Sequence, residues 1–394
     1  MLVKTNKNRF FAITTILVCL SSVVSHAGQK LDLPDIFSDH MVLQREAPIS
    51  IWGNTSPGRT VVVSFADEEE STQSDEGGRW EVTLEAQDAG GPFILSANDG
   101  ESTVVRTDVL VGEVWLGSGQ SNMEWAVDGH PKHSNTACDE ATKRLVGDGD
   151  YPQIRISAIT RDHLNTPNGG WVPMSAEIRP LLPAMMSCVA IRLQKEMDVP
   201  IGIIVRCISS SPSGAWLDRE IMDADSSIVA QMAHYRENVY PALLKKHQAA
   251  LEKGEKSKEP ARPGYEFQPW FREDTDSRGV HYNKLIAPIA PYTIRGIVWD
   301  QGEGGTGVAG VDQFEIMRAL VGSWRQIWRQ DELPFLYVRK NQYPSDFKEH
   351  MDAISTTMVD NHGLNQSLHP PDKDDYAKRI VASMIKHVYA RRQN

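Results

Sequence analysis

Val111-Gly112-Glu113-Val114-Trp115-Leu116 runs directly into Gly117-Ser118-Gly119-Gln120-Ser121-Asn122-Met123. The first six residues read as a buried strand, and the next seven as a glycine turn that carries one serine out of it. Working outward, the same texture recurs. Pro200–Val205, Ile294–Trp299 and Pro334–Val338 are short apolar runs, and Pro183–Lys195 and Phe314–Trp328 have helical spacing. Ile228–Leu251 also reads as helix, broken or kinked at Pro241, where a ring replaces the backbone donor. Strands alternating with helices predict a parallel sheet covered on both faces, an α/β fold.

Upstream the texture differs. From Leu31 to Thr107 short runs such as Ile49–Gly53, Thr60–Phe65, Trp80–Leu84, Phe93–Ser96 and Ser102–Val105 are separated by Ser56-Pro57-Gly58, Asp75–Gly78 and Gly90-Gly91-Pro92. Such spacing predicts an antiparallel β-sandwich preceding the α/β domain. The expected organisation is a leader over 1–27, a sandwich over 28–107 and the α/β domain over 108–394. A charged, Pro/Gly-rich surface insertion occupies about 252–275, with KGEKSKEPARPG at its start.

The leader reading rests on Lys4, Lys7 and Arg9, then the uncharged stretch Phe10–Val24, then Ser25-His26-Ala27. This is the pattern of a signal peptide, and the apolar stretch is short for a membrane span. The expectation is export, to the periplasm or the exterior, with cleavage near Ala27. Cleavage removes three cations and no acids, taking the net charge from −11 to −14. An excess of acid disfavours nucleic acid and anionic membranes as partners. Three of the four cysteines survive cleavage, Cys138, Cys188 and Cys207, so at most one internal bridge is possible. No Cys/His cluster has zinc spacing. His130 and His133 sit three apart beside Pro131 and read as loop residues, so no metal is expected.

Three stretches carry candidate chemistry. Ser121 follows a strand end, where ligands bind in α/β folds, and a following helix would aim N–H groups at a nearby oxyanion. Its competing role is that of helix cap. Met123 rules out the GxSxG elbow. Asp300-Gln301-Gly302-Glu303-Gly304-Gly305 closes another strand. There Gln301 could donate to an oxyanion, or the stretch could be a plain glycine turn, and no P-loop Lys-Ser/Thr follows. His369, in Leu368-His369-Pro370-Pro371-Asp372-Lys373 ahead of a last helix over Tyr376–Ala390, is the candidate base for a serine nucleophile. Asp360, Asp372 and Asp374 are the acids available to orient it.

These residues resemble the sialate O-acetylesterase family of the SGNH (GDSL-like) hydrolases. The likeness runs through Leu33–Arg45, then Leu110–Trp115 with Ser118–Trp125, then Val199–Ile204 with Trp216. It continues through Ile286–Pro288, Pro291-Tyr292, Gly296 and Trp299–Glu303, and ends at His369-Pro370 with Lys373 and Arg379. The resemblance implies a flavodoxin-like three-layer α/β/α domain after a β-sandwich. It also implies removal of O-acetyl groups from a sugar through an acyl-enzyme, without cofactor. By it Ser121 is the nucleophile, His369 the base and Asp360 the candidate third member. Gln120, Asn122, Ser210, Gln301 and Glu303 line the oxyanion and substrate site, with the Ser121 N–H as an oxyanion donor. The expected partner is an acetylated carbohydrate.

The chain departs from the family pattern in three places. Ser209-Ser210-Ser211 replaces Gly-Gly-Thr, and a serine Cβ could narrow the pocket or resist a positive φ. Asp300 replaces an aromatic residue, and an added carboxylate would repel an acidic sugar and favour neutral substrates such as acetylated xylan. Gln366 and Ser367 stand where acids often precede the histidine, which leaves open a Ser–His dyad assisted by a backbone carbonyl. A glycan-binding homologue without catalysis is the reading from outside the enzymes.

Overall fold

The computed structural model describes residues 29–129, 137–161, 165–264, 278–363 and 367–390. The expected leader 1–27, His130, His133, Gln366 and residues 265–275 of the insertion lie outside the described residues.

The strands, in chain order, are β1 (Val42–Gln44), β2 (Ile49–Asn54), β3 (Thr60–Phe65), β4 (Glu68–Gln73), β5 (Arg79–Leu84), β6 (Gly90–Asn98) and β7 (Thr103–Gly119). They continue with β8 (Ile154–Ile159), β9 (Trp171–Pro173), β10 (Ile201–Cys207), β11 (Gly296–Asp300), β12 (Phe335–Val338) and β13 (Thr357–Val359). The helices are α1 (Ser121–Glu124), α2 (Glu140–Gly147), α3 (Ala184–Met197), α4 (Arg219–Ala224), α5 (Ser226–His234), α6 (Tyr240–Glu252), α7 (Gln313–Ile327), α8 (Phe347–Ala353) and α9 (Lys373–Met384).

β7 joins everything. Its first half pairs antiparallel with β6, and its last half pairs parallel with β10 and β11. The boundary expected between 107 and 108 therefore falls inside one unbroken strand. Upstream, β2 and β5 form a separate antiparallel pair, and β3 pairs with β4 and β6. Ile51, Trp80, Val82 and Leu84 share an apolar cluster with Val61, Val63, Phe65 and Leu95. β4 (EEESTQ) has no apolar alternation to announce a strand. It forms as the outer partner of β3, with its side chains largely exposed.

The main sheet runs β13-β12-β11-β7-β10-β8-β9, parallel except for β9. Numbered by appearance, its parallel strands β7, β8, β10, β11, β12 and β13 lie in the order 2-3-1-4-5-6, which differs from the 2-1-3-4-5 of flavodoxin. Side chains alternate between two covered faces. Leu116, Ile297, Trp299 and Phe335 pack with Leu320 and Trp324 of α7. Trp115, Val298 and Leu336 pack with Met186 and Val189 of α3 and with Tyr376 and Ile380 of α9. Apolar strands buried on both sides need this double cover.

The kink expected at Pro241 is a π-turn over Tyr235–Val239 between α5 and α6, just ahead of the residue that cannot donate. α6 has no buried residue, so the region leading into the insertion is a surface feature.

A buried carboxylate ties the N-terminal strands to the sheet. Glu113 is fully buried and accepts from Arg45 Nε (2.7 Å), Arg295 Nε (2.7 Å) and Nη2 (2.9 Å), and Tyr389 Oη (3.0 Å). Burial would raise its pKa, but the two guanidinium groups outweigh it and hold the pKa below the ordinary value. Cys138, Cys188 and Cys207 are buried free thiols, so the one bridge that export would permit is not formed here.

Candidate active site

The site lies at the carboxyl ends of β7 and β11, the neighbours at which the sheet's connections reverse direction. Gly119 ends β7 with φ +131°, and a Cβ there would sit 2.1 Å from the Asp300 carbonyl oxygen. Only glycine allows the two strand ends so close, and the Gln120 N–H then donates to that carbonyl at 3.0 Å. The locked turn delivers Ser121 as the first residue of α1.

Ser121 Oγ lies 2.7 Å from His369 Nε2, across 248 residues of chain. Ser121 is 8 % exposed, so the reacting pair is largely shielded from solvent. The histidine loop is held by the nucleophile's own helix. Asn122 Nδ2 donates to the Leu368 carbonyl (3.2 Å), and Lys373 Nζ donates to Asn122 Oδ1 (2.7 Å). Lys373 is fully buried, and burial lowers its pKa to about 8 against the opposing pull of Asp300. Asp372 caps α9 by accepting from Asp375 N–H at 2.8 Å. Asp374 pairs with Arg192 and Lys378 instead of the imidazole.

Asp360 is exposed at the end of β13, where it accepts from His362 N–H (3.0 Å) and meets Arg339 (3.5 Å). The structure does not bring Asp360 to His369. What lies on the imidazole is Trp125, its ring stacked at 3.6 Å between centroids and 24° between planes. The sequence carries Trp125 four positions beyond Ser121, but nothing in that spacing announces a ring over a histidine far along the chain.

Gln301 is fully buried, and its amide nitrogen donates to the carbonyls of Gly305 (3.0 Å) and Ser211 (3.3 Å). With both hydrogens engaged, Gln301 braces the loops after β10 and β11 rather than presenting a donor to an oxyanion. Gln120 Nε2 donates to Glu303, whose other oxygen takes Lys340 Nζ at 2.8 Å. Lys340 also pairs with Asp300, which is fully buried. Burial alone would lower Lys340, but the two carboxylates more than offset it and raise its pKa. This pairing corrects the electrostatic reading of Asp300. Its charge is paired with a buried lysine, so it gives no argument against an acidic sugar.

The three serines after β10 form a stable loop. Ser209 N–H and Oγ both donate to Glu124, whose other oxygen accepts from Arg161 N–H at 2.7 Å. Ser211 Oγ donates to the Ile208 carbonyl (2.7 Å) and accepts from Trp216 Nε1 (2.9 Å). Ser210 is exposed with φ +64°, so the serine adopts the left-handed conformation that its Cβ was expected to resist. Among the described residues no cluster of His, Cys, Asp and Glu could hold a metal ion, and no helix is long and apolar enough to cross a membrane.

No profile of a known protein family matches the chain. Curated relatives do. Sialate O-acetylesterase of Rattus norvegicus is 25 % identical over 422 residues, covering 93 % of this chain and 75 % of the rat protein. That of Homo sapiens is 25 % identical over 414 residues, covering 90 % and 70 %. Among solved structures, a carbohydrate acetylesterase from Xanthomonas citri superposes with a TM-score of 0.66 at 24 % identity, over 91 % of this chain and 76 % of that one. Across nearly its whole length, the chain is therefore a homologue of the sialate O-acetylesterases and shares the fold of a carbohydrate acetylesterase.

Proposed function

We propose that this protein is an exported carboxylic ester hydrolase that removes O-acetyl groups from carbohydrates through an acyl-enzyme. The observation that carries the reading is the 2.7 Å hydrogen bond between Ser121 Oγ and His369 Nε2 at the carboxyl end of β7. Ser121 Oγ attacks the ester carbonyl while its proton passes to Nε2. The oxyanion is held by the N–H of Ser121, one of the helix-start donors that have no intrahelical partner. Collapse breaks the bond to the sugar oxygen, which takes the proton from Nε2. Water then attacks the acetyl-serine, gives a proton to Nε2, and acetate leaves as Ser121 recovers it.

The homologues named above support a sugar ester as substrate. With Asp300 paired to the buried Lys340, that carboxylate no longer favours neutral acetylated polysaccharides over acetylated sialic acid. p-Nitrophenyl acetate turnover by wild type, Ser121→Ala and His369→Ala tests the chemistry. Both variants should lose at least about a thousandfold, and a Ser121→Ala rate equal to wild type refutes the reading. Acetate release from acetylated xylan against O-acetyl sialic acid then assigns the substrate, and N-terminal sequencing of the exported protein, expected to begin at Gly28, tests cleavage.

A further inference from the structure

We infer that Trp125 is a positioning residue for His369, supplying through its ring face part of what an aspartate supplies in a Ser-His-Asp triad. The inference rests on the Ser121–His369 reading above. The imidazole lies over the indole at 3.6 Å between centroids and 24° between planes, while its Nε2 faces Ser121 Oγ at 2.7 Å. Trp125 is itself fixed. It is 8 % exposed, its backbone N–H donates to the Ser121 carbonyl (2.9 Å), and its backbone carbonyl accepts from Ala184 N–H (2.9 Å). Nucleophile and ring are thus registered on a single turn of chain, and both meet the base that the distant histidine loop brings to them.

When Nε2 takes the serine proton, the ring becomes a cation, and an indole face attracts a cation within about 6 Å. Trp125 therefore both limits rotation of the imidazole and stabilises its charged form. Among the described residues, charged groups on the surrounding elements have other partners. Lys373 bonds Asn122, and Glu124 takes Ser209 and the Arg161 N–H. Glu303 takes Gln120 and Lys340, Asp372 caps α9, and Asp360 meets Arg339 and the His362 N–H.

The test is the pH dependence of kcat/KM for p-nitrophenyl acetate with Trp125→Leu and Ser121→Ala in parallel. A second series places tryptophans carrying increasing numbers of fluorines at position 125 alone, which weakens the ring's attraction for a cation with little change in shape. Loss of the ring face disfavours the imidazolium, so the acidic limb should move to lower pH by about half a unit in Trp125→Leu. kcat should fall roughly tenfold with KM nearly unchanged. The fluorinated series should move the limb stepwise in the same direction. An unmoved limb across the fluorinated series, with Ser121→Ala inactive, overturns the role of Trp125 alone. Full activity of Ser121→Ala instead overturns the esterase reading beneath it.

Discussion

Replacing Lys340 by methionine should cost about 3–5 kcal/mol of folding stability. Lys340 is 3 % exposed and Asp300 0 %, and Lys340 is the partner of both Asp300 and Glu303. Asp300 Oδ2 has no hydrogen-bond partner among the described residues, so the carboxylate depends on the lysine through its other oxygen. At the 2.8 Å of the Lys340–Glu303 pair, Coulomb attraction is about 6 kcal/mol at an effective dielectric of 20. Desolvation of each ion offsets much of that, but removing one partner leaves the offset in place and takes away the attraction. Methionine fills the space, so the loss reports the stranded charge rather than a cavity. The double variant Asp300→Asn/Lys340→Met removes that charge and should recover at least half of the loss. Urea unfolding followed by tryptophan fluorescence measures all three proteins. A Lys340→Met variant within about 1 kcal/mol of wild type, or a double variant no better than the single one, refutes the account of a neutralised Asp300.

Further outcomes follow from other parts of the molecule. Gly119→Ala places a Cβ against the Asp300 carbonyl at a φ of +131°, and should lower kcat on p-nitrophenyl acetate by at least about a hundredfold through displacement of Ser121. Because the pKa of Glu113 is lower in the folded than in the unfolded protein, its contribution is full above the unfolded value of 4.5 and is lost as pH falls through the folded value. The urea midpoint of wild type should therefore drop more steeply below pH 4.5 than that of Glu113→Gln, and parallel profiles count against this role. Burial raises the pKa of Cys138 to about 11 and moves Cys188 and Cys207 the same way, so a thiol reagent at neutral pH should label none of the three until the protein is denatured.

The strand-turn-serine pattern at 111–123 and the late histidine are local signals, and both are legible in the chain itself. An apolar run buried on two faces and a glycine turn point by residue order alone to the parallel sheet and offer Ser121 and His369 as candidates, and the family resemblance pairs the two. The polar residues at the strand ends are not legible in their tasks. Gln301, Asn122 and Glu303 have the chemistry of substrate donors and acceptors, yet Gln301 spends its hydrogens on two carbonyls and Asn122 on the histidine loop. Which partner a buried amide takes depends on which loops the sheet order sets side by side, and composition does not encode that.

The sequence by itself determined the alternation of strands and helices and the acidic balance, because each follows from residue type and short-range spacing, and its family resemblance named the two candidate reacting side chains. Only the tertiary structure decided that Lys340 cancels Asp300, that Ser210 accepts a left-handed backbone, that Asp360 stays at the surface and that Trp125 covers His369. Those are pairings between residues tens to hundreds of positions apart, or backbone states held by such pairings. Their energies come from close approach in a dry interior, and that approach exists only once β7, β11 and the histidine loop have been brought to one edge of the sheet.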